Sequence, residues 1–203
     1  MPLQNRVTPF GEIVALPGRG TIMGNRGVLH NDQRRIVRVT QLRRWIACRL
    51  EFRGRRRVVM RPRTWTELFF LDEATAFSAG HRPCAECRNA DYKRFQGLWE
   101  KCFGVRVRAD EMDAVLHGER LQRRAKRTWR AEISTLPDGV YISIDGAAVI
   151  VCGDHVAAWT ACGYAEPFPR PARGEVEVLT PPSIVAVFRA GYKPEVHPSL
   201  LYQ

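Results

Sequence analysis

Cys84 and Cys87 stand as a Cys-x-x-Cys pair in HRPCAECRNADYKRF, residues 81–95, just ahead of a helix-like segment. Zinc takes deprotonated soft ligands in a tetrahedron, and this spacing delivers two thiolates from one tight turn. Pro83 stiffens the approach to that turn. Backbone N–H groups at the following helix start would face the negative sulfurs. A structural zinc site needs four ligands. The other cysteines are Cys48, Cys102, Cys152 and Cys162, and they form no second Cys-x-x-Cys pair. A redox pair would follow a strand in a βαβ unit. Here a helix-like segment ending at Gly80 precedes it, which disfavours thioredoxin-like chemistry. Cys152 and Cys162 lie in apolar β context and read as small buried hydrophobes.

Two further constellations have chemical potential. EMDAVLHGERLQRR places Asp113, His117, Arg120 and Arg124 at i, i+4, i+7 and i+11, on one helical face. A carboxylate one turn from a histidine raises the basicity of the imidazole, and two arginines alongside suit a phosphate. An ordinary exposed helix with an i,i+4 ion pair is the plainer alternative. MGNRGVLHND sets Asn25, Arg26, His30 and Asp32 in a glycine-flanked loop, where the backbone can approach a ligand closely. A turn-rich surface loop explains that stretch equally well.

Charge points to the class of partner. The chain of 203 residues has 32 Lys+Arg against 21 Asp+Glu, a formal +11 that favours polyanions. Lysine is rare beside arginine, as a GC-rich genome would give, but that bias does not explain the excess of base over acid. Twelve arginines lie between Arg34 and Arg63 with one acid, Glu51, among them. ERLQRRAKRTWR, residues 119–130, is a second basic block. Solvated faces normally mix signs, so these blocks read as phosphate-facing. Arg43, Arg44, Arg53, Arg55, Arg56, Arg57, Arg123 and Arg124 are the expected contacts. Trp45, Phe52, Trp65 and Trp129 could stack on bases, although aromatics in strands usually pack inward.

The elements that must position these residues are short. GEIVAL, RRIVRVTQL, RWIACRLEF and RRRVVMR read as strands, with a tight turn at Gly54. PGRGTIMGNRG lacks the spacing of a P-loop. TELFFLDEATAFSAGH reads as a strand and a short helix, N-capped by Asp72 and ended at Gly80. NADYKRFQGLWEK and ADEMDAVLHGERLQRRAKR carry helical periodicity, the second with Asp110 as N-cap. PDGVYISIDGAAVIVCGDHVAAWT reads as a meander turning at Asp-Gly and Gly-Asp pairs. EVEVLT and SIVAVFRAGY read as two more strands, and KPEVHPSLLYQ as a tail of uncertain order. The class is therefore α+β: a mixed region over 1–130 and a β-rich, mostly antiparallel region over 131–203, packed separately or together. No apolar run spans a membrane and no secretion signal opens the chain, so a cytoplasmic protein with reduced thiols is expected.

RRWIACRLEF followed by ELFFLDEATAFSAGHRPCAECR resembles the zinc-binding N-terminal domain of the bacterial methylation-repair protein Ada, over roughly residues 43–92. In that family a strand carries Cys-x-x-x-Cys, and a short helix ends in Gly-aromatic-Arg-Pro-Cys-x-x-Cys. The resemblance implies zinc held by thiolates, DNA binding and a role in repair. Cys48, Cys84 and Cys87 match three family ligands. Phe52 stands where the second cysteine would be. The fourth ligand is then left to His81, His30, His117, Cys102, a carboxylate or water, and water would make an open, catalytic type of site. Losing one thiolate makes the sulfurs less nucleophilic, so self-methylation is disfavoured. The leading expectation is a zinc-containing DNA-binding protein in repair or modification, with DNA favoured over RNA. A zinc- or histidine-dependent nuclease using His117 with Asp113, or His30, is the alternative. An RNA- or protein-interaction module with structural zinc is the third.

Overall fold

The computed structural model of the protein describes residues 1–55, 58–123 and 125–200. It combines helices with mostly antiparallel sheets, as the α+β reading expects. The first sheet is mixed. In spatial order its strands are Ile13–Val14, Arg6–Val7, Leu68–Phe70, Ile22–Asn25, Ile46–Arg49 and Arg82–Pro83. The last pairing is parallel, with Ile46 beside Arg82 and Ala47 beside Pro83. Parallel neighbours need a crossover. The connection contains α1 (Glu73–Ser78), and its return brings the Cys84 turn next to Cys48. The Cys84 amide extends the contact by donating to Ala47 O at 2.9 Å.

Asp72 caps α1 as its sequence suggests. Oδ1 accepts from Thr75 N at 2.8 Å and from the Thr75 hydroxyl at 2.7 Å. All six residues of α1 are buried, and Gly80 follows it in the left-handed region at φ 88°. The second oxygen of Asp72 reaches the C-terminal part of the chain. Oδ2 accepts from the Tyr164 hydroxyl at 2.5 Å and from His197 N at 2.9 Å. The tail is therefore docked rather than loose: Glu195 N also donates to Glu73 Oε2 at 2.9 Å.

The next two helices are α2 (Asn89–Phe103) and α3 (Ala109–Arg120). The second starts one residue before the expected cap. Arg108 is the N-cap, because Glu111 reaches back to accept from its amide at 2.5 Å, and Asp110 falls inside the first turn.

The second sheet is the expected meander. Tyr141–Ile144, Ala147–Cys152 and His155–Thr160 pair antiparallel in succession. Asp145 and Gly146 both have positive φ, 50° and 78°, the geometry of a two-residue hairpin turn. Glu175–Val178 pairs with Tyr141–Ile144 on one side and Trp129–Glu132 on the other.

Three expected strands fail. SIVAVFRAGY is the helix α4 (Pro182–Arg189), started by Pro182 and burying Ile184, Val185, Val187 and Phe188. A short apolar run cannot by itself distinguish strand from buried helix. RRIVRVTQL makes only an isolated bridge, His30 with Ile36, and Val37 and Val39 are exposed. In RRRVVMR, Arg56 and Arg57 lie outside the described residues. Met60 there adopts φ 54° and gives its amide to Glu67 at 2.8 Å, so it is not in a strand.

One core cluster joins the two regions. Phe77, Phe95, Met112 and Leu116 pack with Ile142, Val149, Ile184 and Phe188. The strand Trp129–Glu132 also runs across residue 130. Among the described residues no helix is long and apolar enough to cross a membrane.

Asp72 satisfies donors from three segments, so Asp72→Ala leaves buried polar groups unpaired. We expect a loss of about 3 kcal/mol or more, measured as a lower urea midpoint at unchanged slope.

Candidate metal centre

The sulfurs of Cys48, Cys84 and Cys87 all lie within 4.8 Å of one another, a group that can hold a metal ion. Ligands about 2.3 Å from one tetrahedral ion are about 3.8 Å apart, which this cluster accommodates. Cys48 comes from the strand Ile46–Arg49, and Met23 sits opposite it in register. Met23, Ile46, Trp65 and Phe69 pack around the thiols.

Without a cation the three thiols compete for charge. Hydrogen bonds from Cys48 and Cys87 push the Cys84 thiol down, and backbone N–H groups of Cys87 and Glu86 add to this. Cys48 is pushed far up by its hydrogen bonds to Cys84 and Cys87 and by burial. In Cys87 the bond to Cys48 pulls downward, but the contact with Cys84 and burial outweigh it and leave the thiol raised. The cluster thus holds one favoured thiolate beside two thiols that must lose protons to become ligands.

Two buried arginines clamp the cysteine turn from either side. Arg82 makes a two-pronged pair with Asp113 of α3, Nε to Oδ1 at 2.9 Å and the second nitrogen to Oδ2 at 2.7 Å. Arg88 ion-pairs with Glu73 of α1 at 2.8 Å and with Asp91 at 2.9 Å. Burial raises the Glu73 carboxyl, while the Arg88 charge opposes that rise.

A cavity of about 240 Å³ opens beside the sulfurs, with Asn25, Arg49, Phe52, Arg55, Trp65 and Glu86 on its walls. Phe52 has Arg53 and Arg55 over its ring at 5.0 and 5.5 Å. Arg55 also pairs with Glu86 at 3.0 Å across the rim.

The histidines sit elsewhere. His81 is outside the thiol group. It is fully buried against Trp45 and Phe70, and its Nε2 accepts from Arg26 Nε at 3.3 Å. Burial, then the charges of Arg26 and Arg120, push its pKa well down, so the ring is neutral. His30 donates from Nε2 to Arg61 O at 3.1 Å and accepts at Nδ1 from the Thr66 hydroxyl at 2.7 Å. Both ring nitrogens hold the loop in place. The expected Asp113–His117 dyad does not form, because the buried Arg82 guanidinium takes both carboxylate oxygens of Asp113. His117 is half-buried, with Nδ1 3.4 Å from Arg120. Burial, Arg120 and Arg43 lower its pKa. Cys102 points at Ala186 O, 3.4 Å away. Cys152 is only half-buried and Cys162 is exposed, so neither is the core residue expected of it.

Arg43, Arg44, Arg53, Arg55 and Arg123 are exposed. Arg56, Arg57 and Arg124 lie outside the described residues. Sequence reasoning missed that Arg26, Arg82, Arg88 and Arg120 are buried. The available signal was position: Arg82 and Arg88 bracket the cysteine pair directly.

No protein family, curated protein or solved structure matches this chain.

Metal analysis by mass spectrometry should find one bound ion per chain in wild type and none in Cys84→Ser. Two of the thiols are raised, so metal affinity should fall steadily as pH is lowered. A pH-independent affinity would remove these thiols from the ligand set.

Proposed function

We propose that the protein is a zinc-containing DNA-binding protein acting in DNA repair or modification in the cytoplasm. The convergence of Cys48, Cys84 and Cys87 carries this reading. Three thiolates suit zinc, and the Cys-x-x-Cys turn is one of its habitual donors. Zinc bound there would tie the strand Ile46–Arg49 to the start of α2 and, in an open coordination, act as a Lewis acid. Arg49 and Arg55 on the cavity wall place positive charge beside the cluster. Arg43, Arg44, Arg53 and Arg123 are exposed as well. With a net +11, these arginines suit a phosphate backbone.

The repair role rests on the resemblance to the Ada zinc domain, in the strand carrying Cys48 and in the Gly80–Cys87 stretch. Phe52 is the departure. Three thiolates carry less negative charge than four, so methyl transfer to sulfur is not part of the proposal. The hydrolase alternative draws less support, because Asp113 and His30 are already engaged by Arg82, Arg61 and Thr66.

Fluorescence anisotropy with a random-sequence duplex tests DNA binding. The logarithm of affinity should fall linearly with the logarithm of salt concentration. The Arg43→Ala/Arg44→Ala protein should lose about 0.9 of slope per phosphate contact removed. Binding that ignores salt would sink the proposal.

A further inference from the structure

A second cavity, of about 330 Å³, lies away from the cysteines, and Arg26, Arg120 and Lys126 are on its wall with Trp45, Gly11 and Glu12. Arg26 and Arg120 are each only 1% exposed. Among the described residues none of these three cations makes an ion pair. The carboxylate on the wall, Glu12, is exposed, and Asp113 is spent on Arg82. Buried charges are normally paired, so Arg26 and Arg120, with the half-buried Lys126 beside them and no counter-charge, call for an anion.

The protein does supply partial compensation. Arg26 donates to Gly11 O at 2.9 Å, Arg120 to Gly80 O at 2.9 Å and to Arg43 O, and Lys126 to Ser78 O. Both guanidinium carbons lie over the Trp45 ring, at 3.8 and 4.1 Å from its centroid. These contacts hold the cations in place but do not neutralise them. The terminal Nη2 of Arg26, the Nε of Arg120 and the Nδ1 of His81 are buried and have no hydrogen-bond partner among the described residues. Gly80 is part of the construction. A Cβ there would come within 2.6 Å of the Arg120 side chain.

We propose that this cavity binds a phosphate group, either free inorganic phosphate or the terminal phosphate of a nucleic-acid strand. Two guanidiniums and an ammonium match a dianion better than a single carboxylate. At about 30 Å³ per water, the cavity has room for about ten waters, more than one phosphate displaces, which leaves space for the sugar of a strand end. Burial beside Arg26 and Arg120 also pushes the Lys126 ammonium down to about 7, and burial pushes Arg120 down to about 9 against the pull of Asp113. A bound phosphate restores both toward their ordinary values. The site stands whether or not the cysteines hold zinc.

The test uses the full chain as purified. Its thermal midpoint is measured in sodium phosphate and in sodium chloride of matched ionic strength, for wild type and Lys126→Met. A 5′-phosphorylated single-stranded oligonucleotide is compared with its 5′-hydroxyl twin by anisotropy. Phosphate should raise the wild-type midpoint by about 5 °C near a hundredfold excess over its Kd. Lys126→Met should lose most of that rise. A tenfold or greater preference for the phosphorylated strand, lost in Lys126→Met, assigns the site to strand ends. Equal binding of the two strands alongside the midpoint rise assigns it to free phosphate. If Lys126→Met does not fold, calorimetric titration of wild type with inorganic phosphate decides. No phosphate-specific rise or heat together with equal strand binding overturns the proposal and leaves the cations a purely structural cluster. A Lys126→Met protein that responds like wild type overturns it too.

Discussion

The cysteine turn is held by two buried arginine–carboxylate pairs. Arg82 and Arg88 bracket Cys84 and Cys87, and each is about 2% exposed in its side chain. A guanidinium holds its charge, so burying one is costly unless a counter-charge compensates it. Asp113 and Glu73 meet that need from α3 and α1. The turn is therefore fixed to two helices at once, and the parallel pairing of Ala47 with Pro83 fixes it to the sheet. Three independent restraints converge within a few residues. Removing either carboxylate would strand a buried cation, which typically costs 3–5 kcal/mol, roughly.

Glu73 shows how far this arrangement extends. Besides Arg88 it accepts from the Tyr192 hydroxyl at 2.8 Å and from the Glu195 amide at 2.9 Å. Its neighbour Asp72 accepts from Tyr164 and His197. Two adjacent carboxylates at the start of α1 thus join the cysteine region to the C-terminal sheet and tail. These hydrogen bonds link residues on either side of position 130. Glu73, which pairs with Arg88, holds the segment after α4, and its neighbour Asp72 holds the second sheet at Tyr164.

The legible parts of the sequence were those where one residue type answers one local demand. Asp72 as a helix cap, Asp145-Gly146 as a hairpin turn and Cys-x-x-Cys as paired thiols each depend on neighbours in the chain. Cys48 was found through its likeness to a known motif, because its partners come from a distant strand. What stayed hidden depends on contacts across the fold. Asp113 and His117 share helical spacing in the sequence, yet Asp113 answers to Arg82. Arginine is the hardest case, since its exposed and buried forms look alike in sequence. Arg43 and Arg44 are exposed, while Arg26 and Arg120 lie over the buried Trp45 ring. His81 reads as a ligand candidate in the sequence, yet it behaves as an aromatic core residue, packed against Trp45 with its ring neutral.

Phe52 decides what kind of centre the three cysteines could form. A fourth thiolate there would close a tetrahedral site and concentrate negative charge on the sulfurs. A phenyl ring does the reverse. It offers no lone pair, lowers the dielectric on that side and carries Arg53 and Arg55 over its face. An ion held by the three sulfurs would then face a cavity walled by an aromatic ring, an amide and an Arg55–Glu86 pair. Sulfur basicity would be lower in such a setting, and a neutral or exchangeable donor would complete the ligand set. With Phe52 there rather than a thiolate, an ion held by the three sulfurs would be the more electrophilic. The arginines beside it would draw phosphate oxygens toward that ion.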